Sequence, residues 1–407
     1  MDVGLKTKTC GLGISLCLGL LIGGEAEAAN FTWLEAGNSL PARPLTFTKI
    51  ADLSGAFSQL GTPAINDSGT VAFFAGLDSS EIGIFTSSGN DTTTISSSSR
   101  PFTNFSTQPA IDNSGTVTFS GSLDARNQGI FTGNGGPVTT IADSSGPFVI
   151  TTGNIPSLND SGTVAFNAFL DAGGGGIFTS SGGTVTTIAD TNDFRSFRQP
   201  SINNSGTVAF VAGLTTGTSA IVTSAGEATS IIADTSGPNN FISFGDLVTL
   251  NNSGTVAFRA SSGTGVSGIF TGSGGPVTTI VDNSGPFNLS LSISPPIAIN
   301  DNGTVAFLTD LDSGEIGIFT GPDPVADKVI ATGDPLFGST VTSLGFSNKG
   351  LSNSGQVAFF ARLADGSEAI VRTQPVPEST SGLALLVAVS AFGASSWHKY
   401  RQGKRSY

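Results

Sequence analysis

Charge, sulfur and imidazole are all scarce in this 407-residue chain. Charged residues make up 12% of it, about half the share of an ordinary globular protein. The formal balance is −13, which argues against nucleic-acid binding and against docking on anionic membranes, since both need basic patches. The single histidine is His398, and the two cysteines are Cys10 and Cys17, so all three lie at the ends. Between them, no histidine-based triad or zinc site, thiol nucleophile or disulfide can form. Carboxylate chemistry of the paired-acid kind is the catalytic route left open. In place of charge the chain carries 55 glycines and a wealth of Ser, Thr and Asn, which points to turns and a neutral polar surface.

The ends read as addresses. Residues 1–29 have the form of a secretory signal, with Lys6 and Lys8, an apolar core from Gly11 to Ile22, and Ala26-Glu27-Ala28 as the small-x-small cleavage pattern. Residues 30–43 form a lead, and the repeats occupy about residues 44–373. The tail, 374–407, has Pro375-Val376-Pro377-Glu378-Ser379, an apolar run from Leu383 to Phe392, and a basic end with Lys399, Arg401, Lys404 and Arg405. It resembles the PEP-CTERM sorting signal of Gram-negative and cyanobacterial surface proteins, with Ser379 where the pattern usually has proline. That resemblance implies export, transient membrane attachment through the tail, and processing near Pro377 and Glu378 by an exosortase. An ordinary C-terminal anchor is the alternative, although the run is short and interrupted for a stable span.

Between the ends, one stretch is written seven times. Ile65-Asn66-Asp67-Ser68-Gly69-Thr70-Val71-Ala72-Phe73 recurs with its glycine at Gly69, Gly115, Gly162, Gly206, Gly254, Gly303 and Gly355. The spacing, 44 to 52 residues and about 48 on average, is that of propeller blades. Each repeat reads as four strands: one entering the signature, one leaving it, one around Phe85 and its equivalents, and one ending at Ile50, Ile95, Ile141, Ile188, Ile232, Ile280 or Ile330. Along the second strand, Val71, Phe73 and Ala75 share one face while Ala72 and Phe74 share the other, so both faces are apolar. Proline at Pro63, Pro109, Pro156 and Pro200 marks the first strand as a sheet edge.

The frame is offset at the ends. A fourth strand, Thr46 to Ile50, precedes the first signature, and the last unit stops after its third strand. A closed ring needs such complementary ends. The expectation is an all-β, seven-bladed β-propeller in which this N-terminal strand becomes the outer strand of the last blade. Open solenoids and strings of small sandwiches are the competing architectures.

The signature resembles that of the NxxGxxAF tandem-repeat proteins, a resemblance that implies no established activity. Its first position is Asn66, Asn159, Asn203, Asn251 and Asn300, with Asp112 and Ser352 in the other copies. All three residue types place a side-chain oxygen where a backbone N–H two residues on can donate to it, and the glycine supplies positive φ. The motif reads as a structural turn. Calcium is a weak rival, because the alternating carboxylates and terminal bidentate acid of a tight calcium loop are missing. No cofactor is expected.

Two features recur on the rim that joins fourth to first strands and second to third strands. One is an acid after leucine, at Asp78, Asp124, Asp171 and Asp312, with Glu81, Glu315 and Glu368 nearby. The other is an aromatic at Phe57, Phe102, Phe148, Phe194, Phe241, Phe287 and Phe337. Solvated loop acids and inter-blade packing are the plain explanations. The functional reading makes Asp78, Asp124, Asp171, Asp312, Phe57, Phe148 and Phe287 a weak ligand rim, with rings stacking on sugars and carboxylates accepting from hydroxyls. The expected function is a non-enzymatic surface or matrix scaffold that binds exopolysaccharide or surface proteins. The alternatives are a carboxylate-based glycan hydrolase or lyase and a cation-dependent adhesion module.

Overall fold

The computed structural model describes residues 45–99, 101–123, 127–151, 153–226, 228–289 and 296–376. The expected export signal, the lead, Pro377, Glu378 and Asp124 lie outside the described residues. Within them the protein is an all-β, seven-bladed propeller of seven antiparallel sheets.

Blade 1 shows how the sequence builds each unit. Its second strand, Val71–Leu77, pairs with Ile82–Ser87, which pairs with Thr92–Ser97. The inner strand comes in two pieces, Phe57–Leu60 and Ala64–Ile65, both paired with Val71–Leu77. Pro63 sits at the end of the break, directly before the second piece, and Pro109, Pro156 and Pro200 occupy the same place in blades 2 to 4. Proline's missing N–H thus falls where the inner ladder is interrupted, and not inside an edge strand as the sequence suggested. Blade 5 lacks that proline, and its inner strand runs unbroken from Phe241 to Leu250.

The apolar alternation of the second strand is used on both faces. Val71, Phe73 and Ala75 pack with Ala358, Phe360 and Ile370 of blade 7. Ala72 and Phe74 pack with Val117 and Phe119 of blade 2. Phe73 stands directly opposite Phe85 on the next strand, with ring centroids 6.0 Å apart, and Phe57 closes the group 5.2 Å from Phe85. Blade 3 repeats the arrangement with Phe148, Phe166 and Phe178, and blade 6 with Phe287, Phe307 and Phe319. Each such pair adds about 0.5–1.5 kcal/mol beyond the area it buries.

The recurring isoleucine of the fourth strand has a specific task. In blade 1 the ladder between third and fourth strands shifts register, so that Ile95 is the extra, bulged residue. The same shift makes Ile141, Ile188, Ile232 and Ile280 the bulged residues of blades 2 to 5. In blade 6 it falls on Val329, one place before Ile330. A bulge increases local twist and turns the outer strand.

The ring closes as the offset frame requires. Leu45–Asp52 pairs with Glu368–Pro375 as the outer strand of blade 7, and it carries the same bulge, at Ile50. Lys49 lies over the Phe337 ring at 5.1 Å. On the channel side, Ser347 Oγ donates to the Pro63 carbonyl at 2.6 Å, and the Ile65 N–H donates to the Lys349 carbonyl at 2.9 Å. Removing residues 45–52 should leave Glu368–Pro375 as an unpaired edge, lower the melting temperature and promote self-association. A truncated chain that melts and elutes from a sizing column like its parent would contradict this closure.

Candidate functional site

The signature turn joins the inner strand to the second strand at one end of the channel. Asn66 is buried, and its Oδ1 accepts from the Thr70 N–H at 2.9 Å and the Ser68 hydroxyl at 2.8 Å. The N–H two residues on donates to the same position in several copies, as in Ser114 to Asp112 and Ser161 to Asn159. Gly69, Gly115, Gly162, Gly206, Gly254, Gly303 and Gly355 all have φ between 79° and 88°, the region where a side chain is strained. The turn reading of Asn66, Asn159, Asn203, Asn251 and Asn300 is therefore what the geometry shows. Their Nδ2 groups do more: each donates to the backbone carbonyl of the first signature position in the next blade, at 3.0–3.2 Å. Asp112 has no such donor, and Ser352 is too short to reach.

The second signature position carries the feature that sequence reasoning missed. Its occupants are Asp67, Asn113, Asp160, Asn204, Asn252, Asp301 and Asn353. The backbone N–H of each donates to the Oδ1 of the next, at 2.7–2.9 Å, until Asn353 donates to Asp67 and the circle is complete. The remaining groups interlock too. Asp67 Oδ2 accepts from the Nδ2 groups of Asn113 and Asn353, Asp160 Oδ2 from Asn113 and Asn204, and Asp301 Oδ2 from Asn252 and Asn353. Each carboxylate thus accepts three hydrogen bonds and has asparagines on both sides. The signal was present in the sequence, since this position is Asp or Asn in all seven copies.

Below this ring, the channel is walled by the aliphatic residues Ile65, Ile111, Leu158, Ile202, Leu250, Ile299 and Leu351. Lys349 also lines it, at the place where blades 1 to 4 have proline. Desolvation by the surrounding protein pulls its amine down to about 8. The oxygens of the ring are engaged in hydrogen bonds between blades. Among the described residues no group of three or more His, Cys, Asp or Glu side chains could hold a metal ion.

The opposite rim carries the residues predicted as a ligand surface. Asp78, Asp171 and Asp312 are exposed, and their backbone N–H groups donate to the carbonyls of Ala56, Pro147 and Pro286. These carbonyls belong to the residues just before Phe57, Phe148 and Phe287, so the acid loops and the aromatic loops do share one rim. The phenylalanines are not presented on it. Phe148 is 8% and Phe287 1% exposed, and Phe57 is half-buried, all three within the aromatic groups described above. Packing claims their rings, which corrects the expectation that they offer stacking faces. Glu368 is buried against Arg362, while Glu315 is exposed and Glu81 half-buried. The rim has an exposed aromatic that the repeat pattern concealed: Phe169, at 69%.

Residues 22–383 match a family described as a family of unknown function, DUF7453. The chain belongs to that family. No curated protein matches it. Among solved structures it is similar to the β-propeller domain of the Trilobed protease from Pyrococcus furiosus, with 12% identity, 68% of this chain and 85% of that chain covered, and a TM-score of 0.49. The N-terminal domain of Nup159 gives 11% identity, coverage of 83% and 97%, and a TM-score of 0.42. The six-bladed fungal lectin from Aleuria aurantia gives 11% identity, coverage of 71% and 99%, and a TM-score of 0.40. At these scores none of the likenesses carries an argument about what this chain binds.

Lys349 supplies a test of the channel. A lysine pulled from 10.5 to about 8 in the fold bears the cost of its buried charge below pH 8, and that cost is relieved as pH rises towards 10.5. The protein should therefore gain stability across that window. Lys349→Met should abolish the gain and raise stability at pH 7 by about 1–3 kcal/mol, measured by urea unfolding. An unchanged pH profile would place the amine in bulk water.

Proposed function

We propose that this protein is an exported, non-enzymatic scaffold that holds a surface or matrix glycan on the rim opposite its signature turns. One observation carries the reading: the two ends of the propeller use their polar groups differently. At the turn end, the Asp and Asn side chains are consumed by hydrogen bonds between blades. At the other rim, Asp78, Asp171 and Asp312 are exposed and project from turns whose backbone is already anchored, so their carboxylates are free to accept from an incoming hydroxyl. A β-propeller is compatible with a binding scaffold.

The proposed route to the surface is export through the N-terminal signal, followed by removal of the tail near Pro377 and Glu378. Both steps are testable on protein recovered from the producing cell. Its intact mass should lack the residues before about 30 and those beyond about 379. The same preparation should bind one or more polysaccharides on a glycan array without turning them over. Alanine at Asp78, Asp171 and Asp312 together should weaken that binding several-fold and leave the melting temperature within about 1 °C, as expected for exposed side chains. Recovery of a chain still ending at Tyr407 would overturn the sorting route. Hydrolysis of a bound glycan, lost on changing one carboxylate, would replace the scaffold reading with an enzyme.

A further inference from the structure

Position 169 breaks the repeat. At the matching place on the second strand the other blades have Gly76, Ser122, Gly213, Ser261, Asp310 and Arg362, each opposite the first residues of the third strand. Phe169 stands opposite Gly175, and its ring lies against that glycine: a Cβ there would come within 3.1 Å of Phe169 Cδ1. One face of the ring is therefore supported by bare backbone, and the residue is 69% exposed. A single exposed apolar side chain is ordinary on a protein surface, so the meaning of Phe169 lies in the groups around it.

Phe169 forms one wall of a hollow of about 260 Å³ between blades 3 and 4. The floor includes the backbone of Gly175 and Gly176 and the side chain of Asn167, whose Oδ1 has no hydrogen-bond partner. The far wall is the inner strand Phe194–Phe197 with the residue after it, and it brings Arg195, Ser196 and Arg198 to the hollow. Two guanidinium groups line it and no carboxylate does, on a protein of net charge −13. Arg198 is engaged with Asp246 at 3.2 Å, an exposed pair of little worth. Arg195 is exposed and has neither an ion pair nor a hydrogen bond among the described residues. Ser196 and Arg198 also line a second hollow of about 150 Å³, which leads on to Ile242 on blade 5, 63% exposed.

We infer that this strip across blades 3 to 5 is a binding site for an acidic sugar unit within a glycan chain, a hexuronate whose ring stacks on Phe169 and whose carboxylate pairs with Arg195. The inference rests on the glycan-binding reading above and adds to that rim one subsite with a stated ligand class. An aromatic face and a glycine floor suit the flat apolar face of a pyranose. Hydroxyls on the ring edge can exchange hydrogen bonds with the exposed Ser196. The free guanidinium offers a planar fork for a carboxylate, the pairing arginine is best shaped for. Asp171 and Asp193 stand on the flanking turns, so the field favours charge concentrated at Arg195 over a densely charged polyanion. The shared wall and the second hollow let neighbouring sugars continue towards Ile242.

The test uses the purified full chain and three probes in calorimetry at low salt: a hyaluronan tetrasaccharide, in which glucuronate alternates with a neutral sugar, N-acetylchitotetraose, and a tetraglutamate peptide. The tetrasaccharide should bind at least about tenfold more tightly than the other two. Phe169→Ala and Arg195→Gln should each reduce its affinity about tenfold or more, with unchanged circular dichroism and melting temperature. The control change Val325→Ser, at an exposed position on blade 6 away from the strip and from the rim acids, should leave it unaltered. Equal affinity for the neutral tetramer, preference for the peptide, or full binding by the Phe169 variant would each overturn the assignment. Glycan binding that survives both strip variants but falls on alanine change of Asp78 and Asp312 would reject this site and keep the scaffold reading. Absence of binding to every glycan tried would reject both.

Discussion

The propeller depends on a circle of seven hydrogen bonds, in which the backbone of each signature turn donates to the side chain of the next blade. Apolar packing holds neighbouring blades together, but it is non-directional and tolerates slippage. The circle is directional, so it fixes the rotation of every blade about the channel. Its side chains must also agree in donor and acceptor character. A carboxylate only accepts, an amide can do both, and two neighbouring carboxylates would repel. Asp therefore alternates with Asn. Seven is odd, so one like pair is unavoidable, and it falls at Asn204 and Asn252, the choice that brings no two charges together.

This constraint divides the molecule into a conservative end and a permissive one. At the turn end, the ring, the buried first-position side chains and the positive-φ glycines leave few substitutions that keep every partner satisfied. At the opposite rim the same strands emerge as turns anchored by backbone bonds, such as Asp78 N–H to Ala56 and Asp171 N–H to Pro147, and by side-chain bonds within a blade, such as Ser58 Oγ to the Leu77 carbonyl. Side chains there can change without disturbing a neighbour, and blades 3 to 5 have used that freedom at Phe169, Arg195 and Ile242.

Much of the architecture was legible in the sequence because it was written repeatedly. Seven signatures gave the blade number, and the orphan strand before Gly69 gave the closure at Glu368–Pro375. The site was less legible, for two physical reasons. Phe148 and Phe287 recur like candidate ligand residues, but recurrence in a propeller marks packing, and their rings are buried against Phe178 and Phe319. Phe169 does not recur, so a repeat-based reading passed over it. The Asp and Asn ring was visible as a restricted position, yet its meaning lies between residues about 47 apart, which only the closed fold brings together.

The most direct test of the ring is to move its unavoidable defect. Asn252→Asp alone places carboxylates side by side at 252 and 301, and Asp301→Asn alone leaves the Nδ2 groups of Asn252 and Asn353 without their acceptor. Each change should cost about 1–3 kcal/mol in low-salt urea unfolding. Together they restore alternation and move the like pair two blades on, to 301 and 353, so the double variant should be within about 0.5 kcal/mol of the parent. A double variant as destabilised as the sum of the two single changes would contradict the ring as the element that sets blade order.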